Sequence, residues 1–125
     1  MTKEPLRYLQ NAKELLSKSP IEDNYYLDVK YVQEACSTAY LAILKAIDGY
    51  LLKRGLEVKK LPKSVDGYRE ALRKYGTIRN GNLLRNFDNL YHELHIAGYY
   101  RGDLKSVGVI KELLKNAKCF IGKIE

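Results

Sequence analysis

Tryptophan is absent from this sequence, and methionine, cysteine, phenylalanine and proline are scarce, with one, two, two and three copies among 125 residues. The two cysteines, Cys36 and Cys119, stand far apart without Cys-x-x-Cys spacing and offer neither a disulfide framework nor a thiolate zinc site. Both are expected as buried free thiols. No apolar run approaches the roughly 18 to 20 residues needed to span a bilayer, and the opening MTKEPLRYLQNAKELL lacks the basic-then-apolar pattern of a signal peptide. A cytosolic protein without membrane attachment is the expectation. There is no GxSxG elbow, no zinc-finger spacing, no RNP-like aromatic strand motif and no glycine-rich phosphate loop, and paired carboxylates for glycoside chemistry are not apparent.

What is present is a balanced composition, 46% apolar and 30% charged, that suits one globular domain over residues 1–125. Between the prolines at positions 5, 20 and 62, apolar residues recur with a period near 3.6, which predicts helices. The first runs over about 4–17, with Leu6, Leu9, Ala12, Leu15 and Leu16 on its apolar face and Ser19-Pro20 after it. A linker from Ile21 to Tyr26 leads to a long helix over about 27–54, closed by Gly55. A third is expected over about 64–75, with Ser64 as its cap and Gly76 at its close. A fourth covers about 80–100 and buries Leu83, Leu84, Phe87, Leu90, Tyr91, Leu94 and Ala97. Asp103 or Ser106 would cap a fifth, which carries Val107 to Ile121. The economical packing is all-α, an antiparallel four- to five-helix up-and-down bundle.

Charge is unevenly spread. Ten of the 22 basic residues but only three of the 15 acidic ones lie between Lys53 and Arg85, so this stretch holds the whole formal excess of +7. Lys53, Arg54, Lys59, Lys60, Lys63 and Arg79 are its candidates for phosphate contact, and an anionic partner such as nucleic acid is the expected kind. A solvated basic face that aids solubility is the alternative.

Both histidines lie in the fourth helix, in LLRNFDNLYHELHIAGYYRG. At about 100° per residue, Leu83, Phe87, Leu90 and Leu94 face one way and Arg85, Asp88 and His92 nearly the opposite way. Arg85 and His92, seven positions apart, project from one side about 10 Å apart along the axis. A guanidinium that grips phosphate beside an imidazole that moves a proton supplies two functions that RNA cleavage needs. Asp88, His92 and His95 together could also ligate a metal, but the cluster points outward and lacks ligands from facing helices, so no metal or other cofactor is expected. His95 is read as a surface or groove residue. Tyrosine is abundant at 11 copies, and Tyr91, Tyr99 and Tyr100 gather near the motif as packing groups or base-stacking platforms. Gly98 and Gly102 suggest an ending helix that displays Arg101, a further phosphate-binding candidate.

Arg85, Asn86 and His92, with six residues between the Arg and the His, resemble the Arg, four to six residues, His signature of the HEPN superfamily of small helical bundles. The helix order over most of the chain is similar as well. The resemblance implies a homodimer whose two motifs face each other across a cleft, and metal-independent endoribonuclease activity. Arg85 would hold the scissile phosphate, His92 would transfer the proton from the ribose 2′-hydroxyl or to the leaving oxygen, and Asn86 would orient the pair. A noncatalytic interaction module, the partner of a nucleotidyltransferase or an antitoxin-like protein, is the alternative function.

Overall fold

The structure, a computed structural model, describes residues 3–75 and 82–124. Its helices are α1 (Lys3–Leu16), α2 (Val29–Lys53), α3 (Val65–Tyr75), α4 (Asn82–Leu90) and α5 (Val107–Ile124), with a π-helix over Tyr91–Tyr100 and one 3₁₀ turn over Val58–Lys60. The all-α bundle expected from the 3.6 period is the architecture found. Arg79, with Gly76 and Asn80, lies outside the described residues.

The helix ends follow local chemistry. Asp28 caps α2 by accepting from the Lys30 amide at 3.2 Å. Ser64 and Ser106 accept from Gly67 and Val109 amides at 3.0 and 3.3 Å, so Ser106 fills the role that Asp103 was also offered for. Gly55, at φ 96°, closes α2: its amide reaches the Leu52 carbonyl while the Leu56 amide reaches that of Leu51, a Schellman pair.

α2 is the spine. Val32, Ala35, Ala39, Ala42, Ile43, Ile47 and Leu51 are fully enclosed, against α1 on one side, α5 on another and the α4–π segment on a third. By length and averaged hydropathy α2 alone among the described helices resembles a membrane span, which the search for uninterrupted apolar runs did not register. Its apolar character has a local cause, because half of that window is buried against neighbouring helices. α1 packs antiparallel to α2, with Lys45 over the Tyr8 ring at 5.6 Å near one end and Leu15 and Lys18 beside Thr38 and Leu41 nearer the other.

Several expectations need correction. The linker from Ile21 to Tyr26 is a hairpin of β1 (Ile21–Glu22) and β2 (Tyr25–Tyr26), with Ile21 opposite Tyr26 and Glu22 opposite Tyr25. Asp23 and Asn24 take positive φ, 53° and 66°, as a two-residue type I′ turn requires, and both are residue types that tolerate it. Leu6, expected in the core, is 38% exposed, at the open side of α1 that lines a groove toward α5. Cys36 is buried as expected, but Cys119 is exposed, since it sits on the outer side of α5.

The fourth helix is not α throughout. From Tyr91 it widens into ten residues of π-helix, and its closing bond runs from the Arg101 amide to the Ile96 carbonyl, five residues back, at 2.9 Å. Gly98 is buried in this segment instead of marking a frayed end. A Cβ there would lie 2.5 Å from the Cys36 sulfur and 2.8 Å from its Cβ, so only glycine lets the backbone approach α2 this closely.

Replacing Gly98 with alanine is therefore expected to lower the unfolding free energy by about 1 to 3 kcal/mol, read as a shift in urea midpoint. Adding Cys36→Ala should return part of the loss by removing the nearest atom. An unchanged midpoint for Gly98→Ala alone would show that this approach is not needed.

Candidate phosphate-binding site

The solvent side of α4 is set by the opposite side. Leu83, Phe87 and Leu90 are buried, and Phe87 meets Tyr40 and Tyr68 at ring separations of 6.4 and 6.3 Å. That anchorage turns Arg85 and His92 outward, and both are exposed. The exposure expected of each is found, while the change of winding at Tyr91 falls between them.

Each of the two is held by its own helix. Arg85 Nη1 donates to Asn82 Oδ1 at 2.7 Å, and its other donors meet no acceptor among the described residues. His92 Nδ1 lies 2.9 Å from the Asp88 carbonyl oxygen. A carbonyl only accepts, so Nδ1 carries the hydrogen and Nε2 is the atom left to take or give a proton. The Tyr91 ring meets the imidazole edge-on at 5.1 Å and limits its rotation.

Asp88, between them, is engaged elsewhere. Its Oδ1 accepts from Arg69 Nε of α3 at 2.6 Å, and Arg69 also pairs with Asp66 at 2.8 Å and lies over the Tyr91 ring at 5.2 Å. These contacts raise the Arg69 pKa, chiefly through the bond to Asp88, and tie α3 to α4. Arg69 thus brings positive charge near His92 but is already partnered. Sequence reading did not find this clamp; its one visible trace is that Asp88 and His92 are four apart, on the same row.

Asn86 is placed differently from its two companions. It is half-buried and lines a groove of about 240 Å³ toward α5 with Asn89, Glu93, Asn116 and Cys119. Arg85 and His92 are each exposed, and neither lines the groove that Asn86 faces.

His95 corrects a second reading. Instead of standing at the surface it is half-buried in an aromatic stack, 5.5 Å from Tyr91, 5.7 Å from Tyr99 and 4.9 Å from Tyr40. The metal cluster of Asp88, His92 and His95 does not assemble, and no group suited to a metal occurs among the described residues.

The other basic candidates fall at two ends of the bundle. Lys53, Arg54, Lys59, Lys60 and Lys63 are all exposed around the C-terminal end of α2, with Arg54 lying over the Tyr50 ring at 4.2 Å. The Tyr50 hydroxyl donates to the Tyr75 carbonyl at 2.6 Å, which ties the end of α3 to the same end. Arg101 is exposed too, but at the opposite end, beside Tyr99, whose carbonyl accepts from Gln33 of the first turns of α2 at 2.9 Å. Arg101 and the Lys53–Lys63 cluster therefore do not form one patch.

Beneath the site the polar groups are shielded. Burial pushes the Cys36 thiol and the Tyr40 phenol each up to about 12. Folded chains keep both protons after unfolded ones have lost them, so this part of stability is complete below about pH 9 and declines as pH rises toward 12. Denaturant titrations across that range should show the fall. Iodoacetamide at mildly alkaline pH should modify exposed Cys119 and spare Cys36, and equal labelling of the two in the folded protein would contradict the burial described.

The chain matches, over residues 1–125, the family described as Domain of unknown function (DUF5618), and it belongs to that family. Among solved structures, a protein of unknown function from Dyadobacter fermentans is 31% identical and superposes with a TM-score of 0.79, the match covering 98% of this chain and 91% of that one. No curated protein matches it.

Proposed function

We propose that this DUF5618 protein is a HEPN-like bundle that binds the phosphate of RNA or a nucleotide on the outer side of α4, with a second copy facing it. One observation carries the reading: Arg85 of α4 and His92, in the first turn of the π-helix that continues it, are both exposed, and the His92 Nδ1 bond to the Asp88 carbonyl leaves Nε2 to exchange a proton. The guanidinium supplies fixed charge and paired donors for a phosphate, and the imidazole supplies a ring nitrogen that can take or give a proton.

Those two groups suffice in kind for metal-independent cleavage. Nε2 of His92 would take the proton of a ribose 2′-hydroxyl as its oxygen attacks phosphorus. Arg85 would hold the non-bridging oxygens as negative charge builds, and the 5′ oxygen would leave with a proton from the facing copy's imidazole. The products would be a 2′,3′-cyclic phosphate and a free 5′-hydroxyl.

A second reading, a binding module without catalysis, is favoured by Asn86, which lines the α5 groove and does not join Arg85 and His92. An antitoxin-like protein or the companion of a nucleotidyltransferase would need only the phosphate contact.

The test is RNA cleavage by nuclease-free protein in EDTA. Cyclic-phosphate products that fall at least about 100-fold in His92→Ala, with helicity and melting unchanged, support the enzyme. RNA binding that persists without cleavage, and weakens in Arg85→Ala, supports the module. Failure to bind RNA or nucleotides at low salt overturns both. In the same assay, affinity should drop steeply with added salt if the Lys53–Lys63 cluster takes part, and charge-neutralised variants there should flatten the slope.

A further inference from the structure

A cavity of about 720 Å³ lies away from α4, between α1 and α5. Its floor is apolar. Leu9 and Leu16 are buried in it, while Leu6 is 38% and Ile21 55% exposed, an unusual position for large aliphatic groups on adjoining elements. The hairpin closes one end through Ile21 and Tyr26, because β2 is tied to the start of α5 by the Tyr26 amide to the Lys105 carbonyl at 2.8 Å. From there α1 and α5 run antiparallel, and the groove follows α1 from Ser17 back to Leu6, about three turns.

Its rims carry one sign of charge. Lys111, Lys115 and Lys118 line the α5 side and Lys13 the α1 side, and no carboxylate lines it among the described residues. None of these four lysines is in an ion pair among the described residues. The acidic residues of α1 are directed elsewhere: Glu4 pairs with Arg7, and Glu14 lines a different groove, against α2. The three α5 lysines are spaced by four and three residues, so their charges repeat along the groove at the pitch of a helix.

We propose that this groove docks an acidic amphipathic helix of a partner protein. An apolar floor three turns long takes leucine-like side chains at helical spacing, and the flanking lysines pair with carboxylates on either side of that stripe. A chain with a single anionic head would meet one or two of the lysines and leave the others without a counter-charge. A nucleic acid would lay phosphate against leucine. The site is independent of the phosphate reading for α4.

The probe is a labelled synthetic helix of about 12 residues, with leucines on one stripe and glutamates beside it, titrated with the full chain by fluorescence anisotropy. Saturable binding is expected, weakened by salt and by about tenfold or more in Lys111→Glu/Lys115→Glu/Lys118→Glu, whose positions are exposed and leave the core intact. Leu6→Glu, a second variant on the apolar floor, should weaken it comparably while melting as the parent does. Equal binding of a peptide with the same leucines and lysine flanks would overturn the proposal. So would absence of saturation at millimolar peptide, or displacement of the bound peptide by a fatty acid such as laurate with tighter affinity.

Discussion

The approach of the π-helix to α2 at Gly98 and Cys36 is the contact on which the rest is arranged. With no side chain at Gly98, the backbone settles against α2. The aromatic stack of Tyr91, His95 and Tyr99 then lies along Tyr40. That seating fixes the rotation of the preceding α4, because the two segments are one continuous helix with a change of winding at Tyr91. Phe87 completes the inward side, and Arg85 and His92 are outward by consequence.

The same constraint explains how polar groups share so small a region. Asp88 serves two partners through different atoms: its carboxylate holds Arg69, and its carbonyl holds His92. The carboxylate is thereby occupied on the α3 side. Engaged by Arg69, it leaves the imidazole in contact with a neutral acceptor. Tyr68, which donates to Asp48 at 2.9 Å, fastens α3 to α2 from the other side. α3 is therefore a brace between the spine and the helix that bears the site.

Much of this was legible in the amino-acid order. Apolar periodicity placed the helices, Ser64 and Gly55 marked ends correctly, and the outward direction of Arg85 and His92 followed from the angle between them and Leu83, Phe87 and Leu90. The change to π winding was not legible, because it depends on what lies opposite Gly98, and Cys36 is more than sixty positions away. His95 was misjudged for the same reason: its neighbours come from α2 as well as from its own helix. Charge counting located the excess between Lys53 and Arg85 but missed the row on α5, where the sign balance over the whole remainder hides a segregation that only folding reveals. Leu6 was assigned to the core by period alone, and period does not tell which stripe of a helix finds a cover.

The hairpin has a temporal consequence. Tyr25 bridges to Ser106, and the amides of Tyr26 and Val107 bond across the same junction, so elements about 80 positions apart close one corner. During synthesis, α1, the hairpin and α2 emerge and can pair locally, whereas the corner closes only after Lys105 to Val107 have been added. Until Lys105, Ser106 and Val107 arrive, the hairpin lacks its partners at this corner, so the junction waits on the segment that leads into α5.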